Sequence, residues 1–164
     1  MENFIQIFRT DGLAGTTVNA AESNYVYKPV LPPQSAQAGQ CHIAVVEILP
    51  GKRSFDYHYH DTDEEAFYII SGQGLLRTPQ GELSVKQGDC ILLPPGPENA
   101  HSIRNTSMEE KLVYIDFDTH NLPEITHFPD HGTVSVQGVY SSMSYKEDTG
   151  TAIQPRLMKG VREK

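Results

Sequence analysis

The sequence is poor in the features that mark secreted and membrane-bound proteins. It has only 2 cysteines in 164 residues, too few for the disulfide framework of a small secreted domain. Its first residues lack a basic region followed by an apolar stretch, so no signal peptide is expected. No apolar run approaches the roughly 20 residues of a membrane-spanning helix. We therefore predict a cytoplasmic protein with no membrane partner, in which Cys41 and Cys90 are reduced core residues.

Positive charge is also scarce. The chain has 13 lysines and arginines against 21 aspartates and glutamates, which gives a formal net charge of -8. No long basic run interrupts this balance, and an acidic surface repels a phosphate backbone. We therefore expect no nucleic-acid partner. The length suits a single domain that is large enough to bury a core without disulfides.

Helical periodicity is missing from the middle of the chain, and strand signals take its place. The 13 glycines and 11 prolines favour short strands joined by turns. Between residues 41 and 119, about seven short β-branched or alternating runs are separated by turn residues. This pattern is typical of all-β sandwiches and barrels. We predict an N-terminal arm (1–40), a β-barrel core (41–119) and a C-terminal extension packing on the barrel (120–164).

Two histidines precede a strand-like segment in the stretch YHYHDTDEEAFYIISG, which covers residues 57–72. Alternate side chains of a strand face the same way, so His58 and His60 share one face, about 6.6 Å apart. Two imidazoles on the inner face of a barrel suit a shared metal ion. His101 follows a proline-rich loop and opens a later strand, so it can enter the same interior from another side.

The carboxylate that would complete such a site is not fixed by alternation alone. Glu65 shares a strand face with Phe67 and would supply an oxygen if that face turns inward. Glu64, the residue before it, is the rival for the role of carboxylate ligand. We interpret Asp61 and Asp63 as turn residues. His42 fits no ligand spacing, although its strand face also carries apolar residues and can line the interior.

Two motifs in this sequence resemble those of the cupin superfamily. In the first, Gly51 is followed by six residues, His58-Tyr-His60, four residues, Glu65, six residues and Gly72. The gap after Gly51 is one residue longer than in the family pattern. The six-residue gap to Gly72 selects Glu65 over Glu64.

The second motif begins at Gly88, which is followed by five residues and Pro94-Pro95-Gly96. Four residues then precede His101, and three more precede Asn105. The gap before His101 is two residues longer than the family pattern and falls in a loop. Gly72, Gly88 and Gly96 are read as turn positions that need backbone freedom, and Asn105 as a structural residue.

The resemblance implies a single cupin barrel, a jelly-roll-like double-stranded β-helix. It implies four metal ligands: His58, His60, Glu65 and His101. Three imidazoles and one carboxylate suit a divalent transition metal such as Zn²⁺, Fe²⁺, Mn²⁺ or Ni²⁺ better than Ca²⁺ or Mg²⁺. An octahedral ion with four protein ligands keeps two positions for water or a small molecule.

Function follows from the resemblance only in outline. It implies a small-molecule ligand that is rich in oxygen, such as a carboxylate, a keto acid or a sugar-like compound. Related proteins include dioxygenases, decarboxylases, isomerases and lyases, and no general base stands out here, so the catalytic residues stay unknown. The alternative is a metal-dependent binding or sensing module without catalysis. Cupins commonly pair through sheet edges, so a homodimer is expected.

Overall fold

The chain folds almost entirely into β-strands. The computed structural model describes residues 7–19, 23–31, 40–139, 141–148 and 152–157. In these residues there are fourteen strands and one short 3-10 helix at Pro97–Asn99. No helix among them has the length and apolar character needed to cross a membrane. The prediction of an all-β protein is confirmed.

The strands are numbered in chain order. They are β1 (Thr16–Asn19), β2 (Asn24–Leu31), β3 (Cys41–Ile48), β4 (Tyr59–His60), β5 (Glu65–Ser71), β6 (Gln73–Thr78), β7 (Gly81–Lys86), β8 (Cys90–Leu93), β9 (Ser102–Asn105), β10 (Leu112–Thr119), β11 (Glu124–Phe128), β12 (Thr133–Gln137), β13 (Ser141–Lys146) and β14 (Ala152–Leu157). Eight of them lie between residues 41 and 119, where the sequence indicated about seven.

Three sheets enclose the interior. The largest has the strand order β1-β2-β3-β10-β5-β8, and its neighbours pair antiparallel. A second sheet runs β14-β13-β12-β11-β4, and a third runs β7-β6-β9. The short strand β4 is held by β11, which lies more than 60 residues further along the chain. The wall that carries His60 is therefore completed by residues beyond position 119.

Strand alternation divides the interior into an apolar end and a polar end. The inward side chains of β10 are Leu112, Tyr114, Asp116 and Asp118, all buried. The first two belong to the hydrophobic core, whereas the last two are carboxylates. Burying a large apolar side chain contributes about 1.5–3 kcal/mol, so the apolar end stabilises the barrel. The polar end of the interior can therefore hold a binding or catalytic site.

The neighbouring strands change character in the same direction. In β3 the inward residues run from buried Ile48 back to His42, and in β5 from Ile69 back to Glu65. The register places Asp118 opposite His42 on one side and opposite Glu65 on the other. Three polar side chains thus form one row across three adjacent strands.

Residues in the predicted arm add to the largest sheet. Asn24–Leu31 forms β2, which pairs with β3 along its length, and Tyr25 is part of the buried core. The register shifts after Pro29, whose nitrogen carries no hydrogen to donate. The division into arm, barrel and extension stays a prediction.

The prediction that both cysteines are core residues is wrong. Cys41 and Cys90 are both free, but Cys41 is half-buried and Cys90 is exposed. Alternation in β8 explains the error, since Leu93 points inward and Cys90 and Leu92 point outward. A short apolar strand does not by itself show which of its two faces is buried.

Asn105 has the structural role that the sequence indicated. Its side chain is buried and donates hydrogen bonds to the carbonyl oxygens of Ile48 (3.1 Å) and Glu110 (2.7 Å). Its own side-chain oxygen accepts from the backbone N–H of Ser107 at 2.9 Å. These bonds fix the loop between β9 and β10 at the apolar end of the barrel.

Candidate metal centre

The four side chains proposed as ligands come together at the polar end of the interior. The Oε2 atom of Glu65 lies 3.6 Å from His58 Nε2, 3.5 Å from His60 Nε2 and 2.8 Å from His101 Nε2. His58 and His101 precede β4 and β9 and form an isolated antiparallel bridge, with backbone hydrogen bonds of 3.0 and 2.8 Å. Backbone hydrogen bonds therefore join two distant parts of the chain directly at the site.

The rings are oriented by bonds on their other nitrogen. His58 Nδ1 lies 2.7 Å from the carbonyl oxygen of Asp56, and His101 Nδ1 lies 3.0 Å from that of Asn99. A carbonyl oxygen only accepts, so Nδ1 carries the hydrogen in both rings. In the neutral ring the lone pair is then on Nε2, the atom that faces Glu65. Both imidazoles are held in the tautomer that a metal requires.

Unpartnered polar atoms test whether this group fits a metal ion. Glu65 Oε2 and His101 Nε2 are buried and, among the described residues, neither has a hydrogen-bond partner of acceptable geometry despite their close approach. Donor atoms of His58, His60 and Glu65 all lie within 4.8 Å of one another. Buried polar atoms without partners are costly. Nitrogen and carboxylate donors that converge in this way fit a divalent transition metal.

The charge states of the cluster depend on one another. Burial opposes ionisation of Glu65, but the positive charges of His58 and His101 hold the pKa of its carboxyl well below the usual range. Burial also disfavours the charged form of His60, yet its hydrogen bond with Glu124 and the negative charge of Glu65 raise its pKa to about 9. Metal binding to His60 at neutral pH must therefore displace a proton.

The choice between the two adjacent glutamates agrees with their exposure. The side chain of Glu65 is buried, whereas Glu64 is exposed, as alternation along β5 requires. Asp63 is buried, but its carboxylate accepts hydrogen bonds from the backbone of Asn121 (2.6 Å) and the hydroxyl of Thr119 (3.4 Å). Asp61 is exposed. The interpretation of Asp61 and Asp63 as loop residues fits these positions.

Glu124 is a residue of the candidate site that sequence reasoning missed. It is fully buried, and its Oε1 lies 3.2 Å from His60 Nδ1. The same carboxylate accepts hydrogen bonds from the backbone N–H groups of Asp61, Thr62 and Asp63 at 2.9, 3.1 and 3.1 Å. Glu124 therefore orients the His60 ring and ties down the loop that leads to Glu65. No motif in the sequence marks it.

Replacing Glu124 by glutamine is expected to weaken binding of Zn²⁺ by about 10–100-fold, the usual effect of removing a carboxylate that orients a metal-ligating histidine. The amide brings N–H groups towards backbone N–H groups that need an acceptor, so some stability is lost as well. Competition with a fluorescent chelator measures the affinity, and thermal unfolding of the metal-free variant measures the second effect. An unchanged affinity would exclude this role for Glu124.

A second polar group in the interior was also not predicted as a site. His42, Asp116 and Asp118 have donor atoms within 4.8 Å of one another. His42 Nε2 forms an ion pair with Asp118. Burial raises the pKa of Asp118 to about 6, reinforced by the negative charge of Glu65 and opposed by His42, and burial and Asp118 raise the pKa of Asp116 well above its usual value. His42 does line the interior, an option that strand alternation left open.

Three of the proposed ligands (His58, His60 and Glu65) and the second polar group line one cavity of about 1060 Å³, slightly above the usual range for ligand pockets. One wall is aromatic and consists of Tyr25, Tyr27, Phe55 and Phe128. The Phe55 ring lies 4.9 Å from that of Tyr25 and 6.0 Å from that of Tyr27, measured between centroids. The ring of Phe128 lies 6.0 Å from that of His58, one of the proposed ligands.

The fold and the cavity define a β-barrel protein of the double-stranded β-helix type with His, Asp and Glu groups that could hold a metal. Residues 44–118 match the family model of the cupin domain. This match, which spans less than half of the chain, confirms the resemblance to the cupin superfamily found in the motifs.

A curated relative and several solved structures are similar to this chain. An uncharacterized protein of Methanocaldococcus jannaschii is 42% identical over 58 residues, which cover 35% of this chain and 45% of that protein. The match thus spans less than half of the relative's length. A sugar phosphate isomerase of the cupin superfamily from Silicibacter pomeroyi superposes with a TM-score of 0.72 at 20% identity, covering 89% of this chain and 96% of that one.

Two further structures extend the comparison. A protein from Acidithiobacillus ferrooxidans, provisionally assigned as a sugar phosphate isomerase, gives a TM-score of 0.74 at 22% identity and covers 88% of this chain and 92% of its own. A predicted oxalate decarboxylase from Thermotoga maritima gives 0.61 at 18% identity, with coverage of 71% and 100%. At these identities the likeness shows the shared fold, and the double-stranded β-helix is confirmed.

Proposed function

We propose that this protein is a metal-dependent enzyme acting on a small, sugar-like molecule at a centre formed by His58, His60, Glu65 and His101. The observation that carries the proposal is the convergence of three imidazole Nε2 atoms on Glu65 Oε2 at 2.8–3.6 Å. A divalent ion bound there, Zn²⁺, Fe²⁺, Mn²⁺ or Ni²⁺, would supply a Lewis acid that polarises a carbonyl or hydroxyl oxygen.

The aromatic wall supports a sugar-like ligand over a simple dicarboxylate. Flat rings offer an apolar surface to the C–H face of a sugar, and phenol groups beside them bind hydroxyls. Burial raises the pKa of Tyr25 to about 12, and burial together with the negative charge of Asp116 raises that of Tyr27 above its ordinary value. Both phenols stay neutral at physiological pH and can donate a hydrogen bond to a ligand oxygen.

Similarity to solved structures points the same way. The two structures that cover 88% and 89% of this chain are a provisional and a named sugar phosphate isomerase. Their likeness includes strands beyond the cupin core, since the family match ends at residue 118. An isomerase that interconverts an aldose and a ketose is therefore the reaction class that we favour among those considered for cupins.

The proposal is tested with protein loaded with Mn²⁺ and offered an aldose phosphate, its ketose isomer and oxalate. Calorimetry is expected to show binding of the sugars that is lost after chelation, and proton NMR is expected to show their interconversion. The Glu65→Gln variant is the control for dependence on the centre. Binding of oxalate without binding of either sugar would overturn the proposed ligand class.

A ligand that binds in a metal-dependent manner but is recovered unchanged would identify the protein as a binding or sensing module instead. The predicted homodimer and cytoplasmic location stay predictions.

A further inference from the structure

We infer that His42, Asp116 and Asp118 form a second divalent-cation site beside the proposed metal centre. One nitrogen donor and two carboxylates lie within 4.8 Å of one another in this group. This inference goes beyond the proposed function, because either site can bind an ion without the other.

Unpartnered atoms point to a ligand at this position. The residues Asp116 and Asp118 are only 3% and 5% exposed. The Oδ1 atoms of both, and Nδ1 of His42, are buried and lack a hydrogen-bond partner among the described residues. Leaving a buried acceptor unpaired costs about 1–3 kcal/mol, and more if it is charged. A cation between these side chains would remove that cost.

Buried polar atoms without hydrogen-bond partners also occur at the first centre. There, Glu65 Oε2 and His101 Nε2 are likewise buried, unpartnered and close together. In both groups, buried atoms without partners belong to side chains whose donor atoms lie close together, which suits an enclosed ion better than a bulky ligand group. Two clusters in one cavity therefore show the arrangement expected of a metal site.

Strand register brings the two clusters together. Asp118 lies opposite Glu65 across β10 and β5, and opposite His42 across β10 and β3. Asp116 follows on the same face of β10, opposite Ala44 and Phe67. Neither of these two neighbours can offer a side-chain hydrogen bond. The carboxylate of Asp116 is thus built into an otherwise apolar layer.

Charge balance supports a second ion. Glu65, Asp116 and Asp118 bring up to three negative charges into one buried region, and isolated buried charges are strongly unfavourable. One divalent ion at the first centre compensates at most two of them. His42 compensates the third only while it is protonated, and its ion pair with Asp118 still leaves one oxygen each of Asp116 and Asp118 without a partner. One imidazole and two carboxylates are a donor set that Zn²⁺ and Mn²⁺ accept. Paired ions in one cavity can hold two oxygens of the same substrate.

The experiment measures how many Mn²⁺ ions each protein chain binds. Protein stripped with chelator is dialysed against saturating Mn²⁺, and bound metal is measured by elemental analysis and by electron paramagnetic resonance. Wild type is expected to bind two ions per chain, with a spectrum broadened by coupling between them. The Asp116→Asn and His42→Gln variants are expected to retain one ion each and to lose the coupling.

Two further variants complete the design. His101→Gln is expected to weaken the first centre while an ion remains at the second, and Glu82→Gln, which changes an exposed carboxylate, is expected to keep both. If Asp116→Asn fails to fold, His42→Gln gives the answer, since the His42 side chain is 17% exposed and tolerates change better. A single ion in wild type, or two ions in both His42→Gln and Asp116→Asn, overturns the inference.

Discussion

Replacing Glu65 by glutamine is expected to lower the affinity of the proposed centre for Zn²⁺ by more than about a hundredfold, since even residues that only orient metal ligands contribute about ten- to hundredfold. Glu65 is the one anionic donor in the cluster and the atom on which the three imidazoles converge. The amide removes its charge and turns either a weak oxygen donor or an N–H group towards the ion. Titration of metal-free protein against a chelator of known affinity measures the loss.

The neighbouring residue supplies a matched control. Glu64→Gln makes the same chemical change one position earlier, on the exposed face of the chain. The backbone of Glu64 makes two hydrogen bonds with Thr119, which the substitution leaves unchanged. Its N–H donates to the Thr119 hydroxyl at 2.8 Å, and its carbonyl oxygen accepts from the Thr119 N–H at 2.9 Å. We expect its affinity for Zn²⁺ to match wild type. Equal losses in the two variants would mean that Glu65 is not a ligand.

Replacing Gly72 by alanine is expected to destabilise the barrel by about 3 kcal/mol. Gly72 has a φ of 86°, where a side chain costs about 1–2 kcal/mol. A Cβ atom there would lie 2.5 Å from the carbonyl oxygen of Lys111 and 2.9 Å from Leu112 Cα. Such contacts against backbone force a shift that adds about 1–3 kcal/mol, the range seen for overpacking. Urea unfolding in the presence of chelator measures the difference.

The Gly88→Ala variant separates the cost of the backbone conformation from the cost of the close contact. Its φ is 91°, close to that of Gly72, but no atom lies within 4 Å of the position its Cβ would take. Gly88→Ala should therefore show only the conformational cost of about 1–2 kcal/mol. If both variants lose the same stability, the close approach of Gly72 to the backbone of β10 is unimportant. Gly96, with a φ of 110°, confirms that all three predicted turn glycines use this backbone freedom.

Local patterns predicted the elements of the barrel well. Alternation placed Glu65, Phe67 and Ile69 on one face of β5, and all three are buried while Tyr68 and Ile70 are exposed. Period-two spacing put His58 and His60 on a common face, and both rings face Glu65. These predictions succeeded because strand geometry is set over a few residues. Cys90, which the low cysteine count had assigned to the core, lies on the exposed face of β8.

The sequence by itself determined the alternating strands and the turn glycines, and its resemblance to cupins supplied the four candidate metal ligands. Tertiary structure alone decided that Glu124 supports His60, and that Asp118 stands between His42 and Glu65. The physical reason is that these contacts join strands far apart in the chain. Their partners are set by the hydrogen-bond register between strands and by closure of the barrel, and no local pattern encodes either one.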